Sequence, residues 1–377
     1  MQERFDVVVA GLGAMGSAAL AACAGRGVRC AGFDRFSPPH PLGASSGKSR
    51  LIRQAYFEDP SYVPLLLRAY TLWRELEART ARSILLQTGL VMVGPPDGTL
   101  LRGSLESARR FALPVQCWDA EELRRRFSSV CVRDGEAAVF EEAGGMLAPE
   151  VAVAAQIEIA RAAGASVFLD SALENWDAGS SGITIRLQDG QTVRAERLIL
   201  ALGPWSKPLL EALGVPTRVQ RNVQVWFHPQ THEYDAERFP AFLLERPGLP
   251  AMLYGFPDAG DGVKAAFHGL GEQSEAESLD RRIHPERDVR PLAEALHAWM
   301  PYVGGTYVDA KVCPYTLTPD EHFVVDVHPA HSNVVVLGGF SGHGFKFAPV
   351  VGEIAAQLAL DGGTPHAIDR FSLGRFP

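Results

Sequence analysis

From Phe5 to Ala10 the chain runs Phe-Asp-Val-Val-Val-Ala, short, β-branched and almost wholly apolar, the pattern of a parallel strand buried on both faces. Gly11-Leu-Gly13-Ala-Met-Gly16 interrupts it. Ser17–Ala24 then predicts a helix of small residues, and Cys30–Phe33 predicts a second buried strand ending at Asp34. Leu65, Leu66, Ala69, Leu72 and Trp73 recur at three- and four-residue spacing and predict a helix over 62–77. Strands are expected at 89–94, 166–169 and 197–203, and helices at 101–110 and 149–163. The alternation of 182–187 and then 192–194 about Asp189-Gly190 reads as a solvent-facing hairpin.

From Pro216 the texture changes. Val219, Val223, Val225 and Phe227 alternate with polar positions, as in an antiparallel strand with one wet face. Further strands are expected at 251–256 and 263–269 and a helix at 288–299, after which 323–327 and 334–339 resume the buried-strand texture and 349–360 closes with a helix. Nothing repeats at a fixed period. These elements predict an α/β Rossmann-like nucleotide-binding domain built from 1–85, 145–215 and 320–377. Into it is inserted an α+β substrate domain, 86–144 and 216–319, dominated by an antiparallel sheet.

Composition agrees with this and excludes other classes. At 377 residues the chain has room for two domains of about 150 residues each. A net charge of −8 without any basic run argues against nucleic acid, which requires a basic face. Cys23, Cys30, Cys117, Cys131 and Cys313 are odd in number and scattered, so neither a disulfide framework nor a metal site is expected, and a reducing, cytoplasmic setting is the default. Val7–Gly25 is nineteen residues without a charge, long enough for a bilayer. Its glycines have another explanation, and no membrane role is expected.

That explanation is Gly11-x-Gly13-x-x-Gly16, standing directly after a strand and opening a helix. Gly11 permits the tight turn, Gly13 lets a pyrophosphate approach the amides at the helix start, and Gly16 allows close helix–strand packing. Asp34 is placed to accept from a ribose hydroxyl. FAD and NAD both use this motif.

Two other stretches carry chemistry. Ser45-Ser46-Gly47-Lys48-Ser49-Arg50-Leu51-Ile52-Arg53 holds three cations in its last six residues. As helix, Arg50 and Arg53 share a face; as strand, they point opposite ways. In either case one is available to a cofactor and the other to a substrate anion, for which arginine is suited. Near the C-terminus Cys313 sits in a polar segment containing Tyr315 and proline, and Gly338–Phe347 follows, rich in glycine and carrying His343 and Lys346.

Together these segments resemble the monomeric sarcosine oxidase and N-methyltryptophan oxidase family, which also includes pipecolate oxidases. The resemblance rests on Phe5-Asp6-Val7 with the glycine fingerprint, Ser49-Arg50-Leu51-Ile52-Arg53-x-Ala55-Tyr56, Tyr254-Gly255-Phe256-Pro257, and Val263-Lys264 with His268. It continues through Cys313-x-Tyr315-Thr-x-Thr-Pro-Asp-Glu-His322 and Gly339-Phe-Ser-Gly342-His343-Gly344-Phe-Lys346. It implies a two-domain flavoprotein that oxidises secondary amino acids, with FAD bonded covalently to the Cys313 sulfur. By the same resemblance Arg53 and Lys346 hold the substrate carboxylate with His343 nearby, and Tyr254, His268 and Tyr315 line the substrate cavity. Arg50 lies beside the flavin, Lys264 promotes the reaction with oxygen, and Ser49, Gly342, Gly344 and Lys346 belong among the cofactor contacts. The implied partners are an amino acid bearing a carboxylate and O2, and the implied state is a monomer.

The chemistry is consistent with elementary requirements. A hydride leaving a carbon next to an amine needs an electron sink, which a flavin supplies. A cation near the flavin stabilises charge developing on oxygen. One departure stands out: sarcosine-oxidising relatives carry a histidine where this chain has Ser46. It motivates two alternatives, an amine dehydrogenase with another electron acceptor and a non-catalytic flavin-binding protein.

Overall fold

A computed structural model describes residues 4–179 and 182–376. Its first sheet has eight strands. At its centre Arg4–Ala10 lies parallel to Cys30–Phe33 on one side and to Thr192–Leu200 on the other. Ser166–Phe168 continues the parallel array beyond Cys30–Phe33, and His331–Gly338 continues it beyond Thr192–Leu200. Alternation divides the first strand between two cores. Val7 and Val9 pack under the helices Ala14–Ala24, Pro149–Ala162 and Ala348–Asp361, while Val8 and Ala10 join the opposite cluster with Ile183, Ile185 and Leu187. The uncharged segment from Val7 is therefore a strand, a turn and a buried helix. Among the described residues no helix is long and apolar enough to cross a membrane.

The second sheet has nine strands. Its pairings are antiparallel, except that Ala241–Leu244 runs parallel to Leu90–Gly94. A small third sheet joins Arg50–Ile52 and Leu85–Leu86 to Gly145–Leu147. The expected order of elements is observed, with Val63–Thr80, Thr99–Phe111 and Val263–Phe267 close to their anticipated bounds.

Three regions differ from expectation. The hairpin expected to face solvent buries one side, because Ile183, Ile185 and Leu187 cap the second core. Its return strand is continuous with the buried one, as a single strand Thr192–Leu200 that exchanges partners midway from Gly182–Leu187 to His331–Gly338. The helix expected at 288–299 begins with a π-turn, Pro285–Val289, before Arg290–His297. The region of Cys313 forms the longest strand, Val303–Leu317, whose hydrogen-bonded partner is Arg218–Pro229. Pro314 is tolerated there because it lies on a sheet edge.

Candidate active site

A channel of about 680 Å³ runs from Gly11, Gly13 and Asp34 to Cys313 and Gly342. At its first end Gly11 takes φ +87°, and a Cβ there would lie 2.3 Å from the Ala201 carbonyl oxygen. Gly16 packs, as its position in the fingerprint requires: its Cβ would lie 1.7 Å from the Gly11 oxygen. Gly13 faces the channel, where an added Cβ would meet nothing nearer than Ser45 Oγ at 3.5 Å. At the helix start the Ala14 amide donates to Ser45 Oγ at 3.1 Å, and no acid lies in the first turn, which leaves the positive end of the helix for an anion. Asp34 is buried and fixed by the Leu12 and Phe36 amides, which donate to it at 2.6 and 2.8 Å.

At the other end the strand Val303–Leu317 presents Cys313 and Tyr315 on one face, two residues apart. Cys313 is 4% exposed. Arg50 Nη2 donates to its sulfur at 3.4 Å and to the Ala44 carbonyl at 2.8 Å. Gly342 takes φ +79° and lies against the Tyr315 ring, 2.2 Å from a Cβ it lacks. Gly344 also lines the channel.

Arg50, Tyr315, Gly342 and Phe345 border both this channel and a second chamber of about 60 Å³. Arg53, Lys346, His343, His268 and Tyr254 line the chamber. Arg50 thus reaches both spaces and Arg53 only the chamber. Tyr254 and Tyr315 hydroxyls approach to 3.4 Å, and the His268 and Tyr315 rings lie 5.9 Å apart. Burial lowers the His268 imidazole, against the pull of Glu58.

Arg53 donates to both oxygens of Glu58, at 2.6 and 2.7 Å, while its Nε is buried without a partner among the described residues. Burial pulls the Glu58 carboxyl upward, but Arg53, His343 and Lys346 overcome that and hold it at about 2. Lys346 is pushed down to about 7 by burial and by Arg53, with Glu58 opposing. His343 Nε2 donates to the Glu321 carbonyl at 2.9 Å, so Nδ1 accepts from the Tyr56 hydroxyl at 2.5 Å. Burial lowers this imidazole to about 3. It is neutral and locked in one tautomer, which suits it to positioning.

Lys264 is 1% exposed. Its Nζ donates to the Gly47 and Ser49 carbonyls at 2.6 and 2.8 Å and lies about 5 Å over the Trp226 and Phe256 rings. Burial, then Arg50, lowers it well below an ordinary lysine. Ser49 acts through this carbonyl, which also accepts from Arg50, and does not line the channel. Ser46 is buried beside Gly47.

Sequence reasoning missed Glu58, the Tyr56 hydroxyl, and the apolar chamber walls Leu243 and Met252. An acid five residues after an arginine was the only signal for Glu58, and the same spacing occurs in solvated pairs. Trp205 was also missed. It lines the channel, and its Nε1 is buried with no partner among the described residues.

These features fit FAD. The channel is long and largely apolar, one end is a helix start without an acid in its first turn, an indole N–H without a partner among the described residues lies in the wall, and a guanidinium-flanked thiol closes the far end. Comparisons with known proteins agree. The chain is 42% identical to a monomeric sarcosine oxidase of Streptomyces avermitilis, over 98% of this chain and 97% of that protein. It is 35% identical to an N-methyl-L-tryptophan oxidase of Salmonella heidelberg, over 99% of each. Its fold superposes on NikD, an amino acid oxidase essential for nikkomycin biosynthesis, with TM-score 0.86 and 25% identity over 98% of this chain and 97% of that one. It also superposes on glycine oxidase from Geobacillus kaustophilus, with TM-score 0.82 and 20% identity over 98% of each. The family model for FAD dependent oxidoreductases matches residues 6–358, and the chain belongs to that family.

Proposed function

We propose that the protein is an oxidase of secondary amino acids, sarcosine, another N-methyl amino acid or a cyclic imino acid, with FAD bonded to Cys313. In this reading it acts as a monomer in the cytoplasm. The observation that carries it is the junction at Tyr315 and Arg50, where a cofactor-sized channel meets a small chamber ending on Arg53 and Lys346. Bound FAD would supply an acceptor for a hydride from the carbon beside the amine, the electrons going on to O2, with an imine, which hydrolyses, and H2O2 as products. The chain's part is to place that carbon. Arg53 and Lys346 grip the carboxylate, the aromatic side chains exclude water, and Glu58 keeps the cations poised before substrate arrives. The cofactor half comprises 1–85, 145–215 and 320–377 and the substrate half 86–144 and 216–319, a division supported by the segments that build each sheet.

The test is a panel of N-alkyl amino acids mixed anaerobically with the protein, followed by oxygen with peroxide detection. Flavin that no member bleaches would overturn the reading, and bleaching without peroxide would favour the dehydrogenase alternative.

Lys346→Met is expected to raise KM for a carboxylate substrate about 10–100-fold, the loss of one charge-assisted contact. A neutral amine should be unaffected, and equal effects on both would remove Lys346 from the carboxylate site. Its cation exists below about 7 and is lost above. Because kcat/KM reports the free enzyme, this parameter should fall as pH rises through about 7, and Lys346→Met should abolish that limb. Glu58 raises the lysine. Glu58→Gln is therefore expected to move the limb to lower pH, and a limb shifted upward would contradict the electrostatic role given to Glu58.

A further inference from the structure

The segment 53–58 carries much of the carboxylate clamp. It holds Arg53, Tyr56 (whose hydroxyl donates to His343), the chamber wall Phe57, and Glu58. It forms neither strand nor helix, so its course is fixed from outside. Three contacts fix it, and all come from within 86–144, the proposed substrate half. Glu141 ends the strand Ala137–Glu141 and is 1% exposed. One of its oxygens accepts from the Gln54 amide at 2.6 Å and the other from the Ala55 amide at 2.8 Å. Ser107 Oγ, buried on the helix Thr99–Phe111, donates to the Tyr56 carbonyl at 2.6 Å. On the same helix a Cβ at Gly103 would lie 2.3 Å from the Phe57 carbonyl oxygen.

We propose that Glu141 is a positioning residue for the substrate: by holding the two amides that follow Arg53, it sets where the guanidinium meets the carboxylate. The proposal rests on the oxidase reading above and on Arg53 as a carboxylate ligand. Two acceptor oxygens, one for each amide, are what an ionised carboxylate offers. Burial works against that charge, and the two amides and Arg53 work for it. The strand bearing Glu141 pairs with Leu90–Gly94, which pairs in turn with Ala241–Leu244, the bearer of the chamber wall Leu243. One sheet therefore fixes both the apolar wall and the turn that aims Arg53. The spacing between them, which decides how large an amino acid fits, is set by the substrate half although Arg53 belongs to the cofactor half.

The test titrates the holoenzyme with acetate, read by flavin absorbance, and compares KM for an N-methyl amino acid with KM for a neutral amine. Glu141→Gln keeps the shape but turns a donor toward one of the two amides, so the segment must shift. Misplacing a binding group by about 1 Å can cost on the order of a hundredfold. For this partial shift Kd for acetate is expected to rise about tenfold, and KM for the N-methyl amino acid to rise more than that for the neutral amine. In an Arg53→Met background the same substitution should change Kd less than about twofold, because residues that act through one another are not additive. A full effect in both backgrounds would mark a general structural role and overturn the proposal. Ser107→Ala loosens the segment from its other side and replaces Glu141→Gln in both backgrounds if that variant does not fold. An unchanged acetate Kd in the folded variant would overturn the proposal and leave the clamp standing. Acetate binding to Arg53→Met as tight as to the wild type would remove Arg53 from the clamp, and the proposal with it.

Discussion

Lys264→Met is expected to slow oxidation of the reduced enzyme by O2 about 10²–10³-fold, the usual cost of removing one preorganised donor from developing charge. Anaerobic reduction by substrate should change little, since Lys264 does not line the chamber. Methionine keeps the length and apolar bulk of the lysine stem, so packing against Trp226 and Phe256 survives. The carbonyls left behind are not orphaned: Gly47 O also accepts from the Ser49 amide and Ser49 O from Arg50. The lowered lysine adds a direction. Its cation is lost at a lower pH than that of an exposed lysine, so the wild-type oxygen reaction should weaken as pH rises through that lowered value. A Met variant that reoxidises at the wild-type rate would remove Lys264 from the oxygen half of the reaction.

Cys313→Ser is expected to convert tethered flavin into extractable flavin. Acid precipitation of the wild type should leave all the yellow colour in the pellet, and the same treatment of the variant should release it to the supernatant. The sulfur is buried, lies on the channel wall and accepts from Arg50 at 3.4 Å, within reach of a cofactor in that channel. Arg50→Met retains the thiol and removes that partner, so it should also yield largely extractable flavin. Colour in the wild-type supernatant would refute the bond outright.

Much of this arrangement was legible in the residues. The βαβ opening was, because a buried strand, a glycine turn and an acid each have a distinct local cause. What escaped depends on tertiary context. The strand that carries Cys313 and Tyr315 contains Gly304, Gly305 and Pro314, all poor strand formers. It forms because Arg218–Pro229 supplies a partner along its length. Lys264 in sequence is indistinguishable from a solvated strand charge, and only the packing of Trp226 and Phe256 over it shows that it is sealed. Glu58 escaped because charge spacing does not report burial. His343 lines the same chamber as Arg53 and Lys346, but its neutrality follows from burial and its tautomer from the Glu321 carbonyl, which no local pattern announces.

The partner exchange along Thr192–Leu200 has a consequence for how the protein is made. Its second half is flanked by His331–Gly338, so during synthesis that edge stays bare until nearly nine-tenths of the chain has been translated. The wall formed by Gly339, Gly342 and Gly344 follows later still. A growing chain therefore has the nucleotide turn long before it can have a closed channel. Such late, long-range strand pairing folds slowly, and scarcity of FAD during rapid expression would be felt as aggregation of the half-built sheet before it was felt as lost activity.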